Sequence, residues 1–135
     1  MAATRSPDLR AIDSFRQYAD AFQSLDAKAV ARHFHEPAML IAPQGVLALP
    51  TAAAVEAAYS RVMADLPARG YSRTEFSGLS ERRLNDDLAV VTGAGVWKNA
   101  SGEEFSRFGV TYTLRRVAST WRIVVAAIYE PPTEQ

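Results

Sequence analysis

The second half of this chain is a near-continuous series of long β-type runs. Residues 71–84, 88–99, 103–117 and 120–130 are rich in β-branched and aromatic side chains, and each run ends at a turn: Asn85-Asp86-Asp87, Ala100-Ser101-Gly102 or Ala118-Ser119. Ordinary strands run about five or six residues, so strands of this length must twist and bend. Gly78, Gly93, Gly95 and Gly109 fall inside them, where glycine marks a bulge or a close backbone approach. Helical patterns precede the strands. Helices first and a long meander second predict an α+β domain whose helices cover one face of a curved sheet. A curved sheet wraps into a cone, and a cone can hold a small molecule.

Ser6-Pro7-Asp8 reads as a helix start: serine caps, proline fits the first turn and aspartate complements the dipole. Leu9, Ile12, Phe15, Tyr18 or Ala19, Phe22 and Leu25 then recur at helical spacing. Asp26 caps a second helix over residues 27–34, with Val30 and Phe34 inward and Glu36-Pro37 as its stop. Residues 38–42 and 46–49 read as a small hairpin turned by Pro43-Gln44-Gly45. Thr51 caps a third helix whose stripe is Val55, Ala58 or Tyr59, Val62 or Met63, and Leu66, ended by Pro67 and Gly70. No repeat, low-complexity tract or linker interrupts the chain. Residues 1–135 therefore read as one domain, with residues 1–6 as a flexible lead.

Strand faces carry the assembly expectation. In 103–117, Phe108, Val110, Tyr112 and Leu114 share one face, and Arg107, Gly109, Thr111, Thr113 and Arg115 share the other. Around 88–97 and 121–129 both faces are apolar. One face must meet the helices; the other also avoids water, which points to a homodimer packed through the sheet.

Charge and composition exclude several classes. Lys+Arg and Asp+Glu number 15 each, so the basic excess of a nucleic-acid binder is missing. Arg82-Arg83 and Arg115-Arg116 are too short to supply one, because adjacent strand residues point to opposite faces. There is no cysteine, which removes disulfides, thiolate metal sites and a cysteine nucleophile and fits a reducing cytoplasm. No run approaches the roughly 20 apolar residues of a membrane span, and Met1-Ala-Ala-Thr-Arg-Ser-Pro lacks a signal-peptide core. Neither a nucleophile elbow nor a nucleotide-binding glycine motif occurs, so no cofactor is expected.

Phe22-x-x-Leu25-Asp26-Ala27-x-x-Val30 forms a helix–aspartate–helix joint, and Phe34, then Pro37-Ala38, leads into an apolar run ending Pro43-x-Gly45. With these motifs and the element order, nearly the whole chain resembles the nuclear transport factor 2-like superfamily, also called SnoaL-like or ketosteroid isomerase-like. The resemblance implies a cystatin-like cone: three N-terminal helices packed on a curved, mostly antiparallel sheet of a small hairpin plus four long strands. Members include isomerases, cyclases, dehydratases and transport factors, so the fold alone does not give a function. Aligned with ketosteroid isomerase on Asp26 and Ala38, Tyr18 falls where that enzyme carries its oxyanion-binding tyrosine. The proton-shuttling aspartate would precede Pro43, where this chain has Ala42. Alanine accepts no proton, so that mechanism does not carry over. Thr111, Tyr112 and Thr113 are candidates for the second oxyanion donor.

Candidate catalytic residues are Tyr18, as hydrogen-bond donor, and His33, which titrates near neutrality. His33 and His35 diverge by about 200° on a helix and make a poor metal pair, so no metal is expected. Glu75, Glu103, Glu104 and Glu130 are the acidic alternatives; a carboxylate inside an apolar cone would have a raised pKa and could serve as an acid. Arg107 could pair a ligand carboxylate, but the partner subunit is the preferred reading. Tyr18, Phe22, Phe34, Tyr59, Trp97, Phe108 and Tyr112 are the expected ligand-binding set, because an apolar pocket with a few hydroxyls suits a small hydrophobic or aromatic molecule. Three readings follow. An open cavity without an acid or base favours a binding protein. A titratable group inside favours an isomerase, cyclase or dehydratase. A cone filled by Phe34, Tyr59 and Tyr112 favours a non-catalytic assembly module.

Overall fold

Ile12, Phe15, Tyr18 and Phe22 are all buried, so the first helix lays its apolar stripe on the core as its spacing requires. The computed structural model describes residues 10–131. The elements are α1 (Ala11–Gln23), α2 (Ala27–Ala31), β1 (Phe34–Ala42), β2 (Gly45–Leu49), α3 (Ala52–Ala64), a 3₁₀ turn (Pro67–Arg69), β3 (Tyr71–Asn85), β4 (Leu88–Asn99), β5 (Glu104–Val117) and β6 (Thr120–Tyr129). The expected flexible lead and the helix start at Ser6-Pro7-Asp8 lie outside the described residues. Arg10 is extended and α1 begins at Ala11. There the Asp13 carboxylate accepts from the Arg10 backbone N–H at 3.0 Å, and Glu81 on β3 accepts from the Ile12 N–H at 2.9 Å.

The other two helix starts match their caps. Asp26 accepts from the Ala29 N–H at 3.0 Å, and Thr51 accepts from the Ala54 N–H at 3.2 Å. Gly70 closes the 3₁₀ turn in the left-handed region, φ 85°. The end of the second helix differs from its sequence reading. It stops at Ala31, and Pro37 lies within β1. Strand pairing takes over before the proline does: the Ile123 N–H donates to the His33 carbonyl at 2.8 Å, and Phe34 pairs with Ile123. The first strand is accordingly longer than 38–42.

Six strands form one sheet in the order β2-β1-β6-β5-β4-β3, antiparallel except for the parallel β1–β6 pair. Register shifts mark the bends, one of them between Ser77 and Ser80, where Gly78 has φ 64°. Against one face lie the helices: α1 meets β3, β4 and β6, while α3 meets β1 and β2. Ala89 and Val91 of β4, Val110, Tyr112 and Leu114 of β5, and Ile123 and Ala126 of β6 are buried beneath them. The opposite face carries Val90, Ala94 and Val96 of β4, Thr111 and Thr113 of β5, and Val125 and Ala127 of β6, all half-buried. Phe15 is fully buried against Tyr18, Phe76 and Tyr112; truncation to alanine there would cost about 3–5 kcal/mol. No helix of the described residues is long and apolar enough to cross a membrane.

Candidate functional site

A mouth between α1, α3 and the sheet opens into a cavity of about 340 Å³, at the lower end of the roughly 300–1,000 Å³ usual for ligand pockets. Phe22 of α1, Tyr59 and Val62 of α3, Trp97 of β4, Phe108 of β5 and Ile128 of β6 form its apolar wall. Leu40, Ala42, Pro43 and Gln44 close one side where β1 turns into β2. Ser106, Arg107, Tyr129 and Glu130 form the rim. Helical spacing explains the α3 contribution: Met63 is buried in the core, so its neighbour Val62, 39% exposed, turns to the cavity.

A second, smaller space of about 40 Å³ lies beside it, lined by Tyr18, Tyr112, Phe76 and Thr74 among others. It has room for about one or two waters. Phe22, Trp97 and Ile128 line both spaces. The Phe22 and Trp97 rings are stacked, with centroids 5.9 Å apart and planes 16° apart, and Phe108 meets Trp97 at 5.6 Å. Gly95 makes this packing possible. A Cβ there would stand 2.6 Å from Phe108, closer than real Cβ atoms come, and a tight 3.0 Å from Phe76.

Below that partition, three hydroxyls meet in the core. The Tyr18 hydroxyl is hydrogen-bonded to Tyr59 at 3.0 Å and to Tyr112 at 2.6 Å. Burial pushes all three phenols well above the usual tyrosine pKa, and for Tyr18 the neighbouring Tyr112 adds to the effect. These tyrosines stay protonated and neutral at physiological pH. Phe34, 2% exposed, packs edge-on to Tyr18 and lines neither cavity.

Of the expected ligand-binding set, Phe22, Tyr59, Trp97 and Phe108 line the mouth cavity, Tyr18 and Tyr112 only the smaller space. His33 lines neither, and burial together with Arg122 and Arg32 holds its imidazole below the usual histidine pKa. Glu75 is not inside the cone. It pairs with Arg73 at 2.7 Å and Lys98 at 2.9 Å on the open sheet face, and those hydrogen bonds lower its pKa instead of raising it. Glu103 is exposed beside Asn99, and Glu104 pairs with Arg107. Glu130 stands exposed on the rim. Ala42, the residue that the resemblance sets against the isomerase's aspartate, lines the cavity. Among the described residues no three His, Asp or Glu side chains converge as a metal site would require. Leu40, Val62 and Ile128 are lining residues that the aromatic pattern does not reveal, whereas Arg107, weighed from sequence as a partner for a ligand carboxylate, does line the cavity.

A six-stranded, mostly antiparallel sheet covered on one face by helices is a cystatin-like α+β domain. The chain belongs to the family described as NTF2-like protein (DUF6841), whose model matches residues 8–131. Among solved structures it is similar to a domain of unknown function with a cystatin-like fold from Nostoc punctiforme, at 22% identity and TM-score 0.76, covering 96% of this chain and 81% of that one. Aln2 from a Streptomyces species matches at 21% identity and TM-score 0.73, over 95% of this chain and 94% of that one. A candidate calcium/calmodulin-dependent protein kinase type II association domain from Thiobacillus denitrificans matches at 18% identity and TM-score 0.74, over 94% and 100%. None of the curated proteins searched matches the chain. Identities this low establish the shared fold.

Proposed function

We propose that the domain binds a small, mostly apolar or aromatic molecule in the mouth cavity and carries out no isomerase-type chemistry. One observation carries this reading: the cavity is walled by rings, and the single carboxylate that borders it among the described residues, Glu130, stands exposed at the rim, with none on the apolar wall. By the resemblance Ala42 stands at the proton-shuttle position, and the Tyr18 hydroxyl is hydrogen-bonded to two other tyrosines. The side-chain-filled inner cone supports the assembly reading only for the core, because the mouth stays open. Titrating the protein with steroids, polycyclic aromatics and small keto acids, while following melting temperature and Trp97 fluorescence, tests the proposal. A ligand of the folded state must raise the melting temperature with its concentration, and Ala42→Trp, which fills the cavity, must abolish the shift. A broad panel without any shift refutes it and leaves the assembly module.

The uncovered sheet face supports a homodimer as a second element of the proposal. Small and apolar side chains from β4, β5 and β6 occupy it, and Met39 and Ile41 of β1 extend it at 38% and 37% exposure. An association domain among the structural neighbours is consistent with that use of the fold. Sedimentation of the wild type and of Thr111→Arg tests it: the charge, placed at the centre of the face, must yield a monomer.

A further inference from the structure

The mouth cavity has an apolar wall but a polar rim, and the rim is built asymmetrically. Arg107 is the single cation that lines it among the described residues. A guanidinium has five N–H donors in a planar fork. Two of Arg107's are spent: Nε donates to Glu104 Oε2 at 2.7 Å and Nη2 to Oε1 at 2.8 Å. This is a side-on, bidentate clamp, and it fixes the plane of the group. The remaining N–H groups, on Nη1 and the second position of Nη2, have no protein partner among the described residues. They form a second edge with the same two-pronged geometry as the occupied one. Ser106 and Gln44, both lining the same cavity, add neutral hydrogen-bonding groups.

We infer that the ligand of this cavity is an apolar molecule bearing a carboxylate, its hydrocarbon body against Trp97, Phe108 and Ile128 and its carboxylate paired with the open edge of Arg107. The inference rests on the proposed binding role of the cavity and adds the chemical class of its ligand. A planar fork favours a planar carboxylate over a point acceptor, because two parallel N–H···O bonds form at once. The Arg107 side chain is 61% exposed, so solvent screens the charge and the pair supplies selectivity more than affinity. The apolar wall supplies most of the affinity. Glu130, the other charged group on the rim, has no hydrogen-bonded neighbour to orient it among the described residues. A ligand ammonium would therefore meet an unfixed acceptor there, whereas a ligand carboxylate meets a fixed donor pair. Glu130 instead weakens the carboxylate site by like-charge repulsion.

The test compares arylalkanoic acids with their methyl esters at neutral pH, by calorimetry and thermal shift. The acid should bind about tenfold more tightly than its ester, as one charge-assisted fork predicts. Arg107→Met should erase that difference, and Arg107→Lys should restore only part of it, because lysine keeps the charge and loses the fork. Glu130→Gln should tighten the acid severalfold and leave the ester where it was. Added salt should weaken the acid alone. Equal binding of acid and ester overturns the inference while leaving the binding role of the cavity standing. An acid preference that survives Arg107→Met overturns the assignment to Arg107. Binding of neither compound by folded protein overturns both the inference and the binding role it rests on.

Discussion

The Tyr18 and Tyr112 hydroxyls lie 2.6 Å apart although 94 residues separate them. Tyr18 sits between two partners, since Tyr59 bonds it at 3.0 Å from α3. The hydroxyl that a ketosteroid isomerase-type reading would aim at a ligand is thus turned into the core, where it ties α1 to α3 and to β5.

Removing the central hydroxyl strands both neighbours, whereas removing an end strands one. Tyr18→Phe should destabilise the fold by about 2 kcal/mol or more, and Tyr59→Phe or Tyr112→Phe by about 1 kcal/mol. Urea unfolding curves of the single variants check the order. A ranking with Tyr18→Phe least costly would mean that the hydroxyls are not acting as one chain.

Alkali should unfold the protein steeply. The three buried phenols have pKa values raised above the unfolded value of about 10. Below pH 10 both states hold these protons, and the stability is fully present. Above it the unfolded state releases them first, so stability falls by about 1.4 kcal/mol per pH unit for each buried phenol. Absorbance at the tyrosinate band should show Tyr18, Tyr59 and Tyr112 ionising only together with unfolding.

Histidine behaves in the opposite sense. His33 has a lowered pKa in the folded state, through burial first and then Arg122 and Arg32. Its contribution is present above the unfolded value of about 6.5 and is lost as the pH falls through the folded value. Its NMR titration midpoint should lie below 6.5, and salt should move it upward by screening the two arginines. A midpoint that ignores salt would leave burial as the sole cause.

Gly95 should tolerate no side chain. Gly95→Ala places a methyl group 2.6 Å from Phe108, so Phe108 must swing toward the mouth. We expect about 1–3 kcal/mol of destabilisation together with a smaller mouth cavity, read as weaker ligand-induced thermal shifts. Gly109 is a control of another kind. Its added Cβ would meet the Tyr129 ring at 2.4 Å on the open face, so Gly109→Ala should disturb the sheet face and leave Phe108 in place.

What the residues themselves determined is what short-range physics controls. The helical stripes, the caps at Asp26 and Thr51, the four long strands and the two faces of β5 all follow from periodicity and turn chemistry within a few residues. That Ala42 stands where an isomerase would carry its aspartate is what the family resemblance implies. Tertiary structure decided the rest. The second helix ends at Ala31 because the chain beside Phe34 finds a parallel partner in β6, a competition invisible from Pro37 alone. The division of the cone into an open mouth and a closed tyrosine core depends on register, since it needs Tyr18, Tyr59 and Tyr112 to meet from three elements. Arg107 alternates onto the open face by local count, yet it lines the mouth. Which residues border the opening depends on strand twist that accumulates over the whole sheet, and no window of local sequence contains that sum.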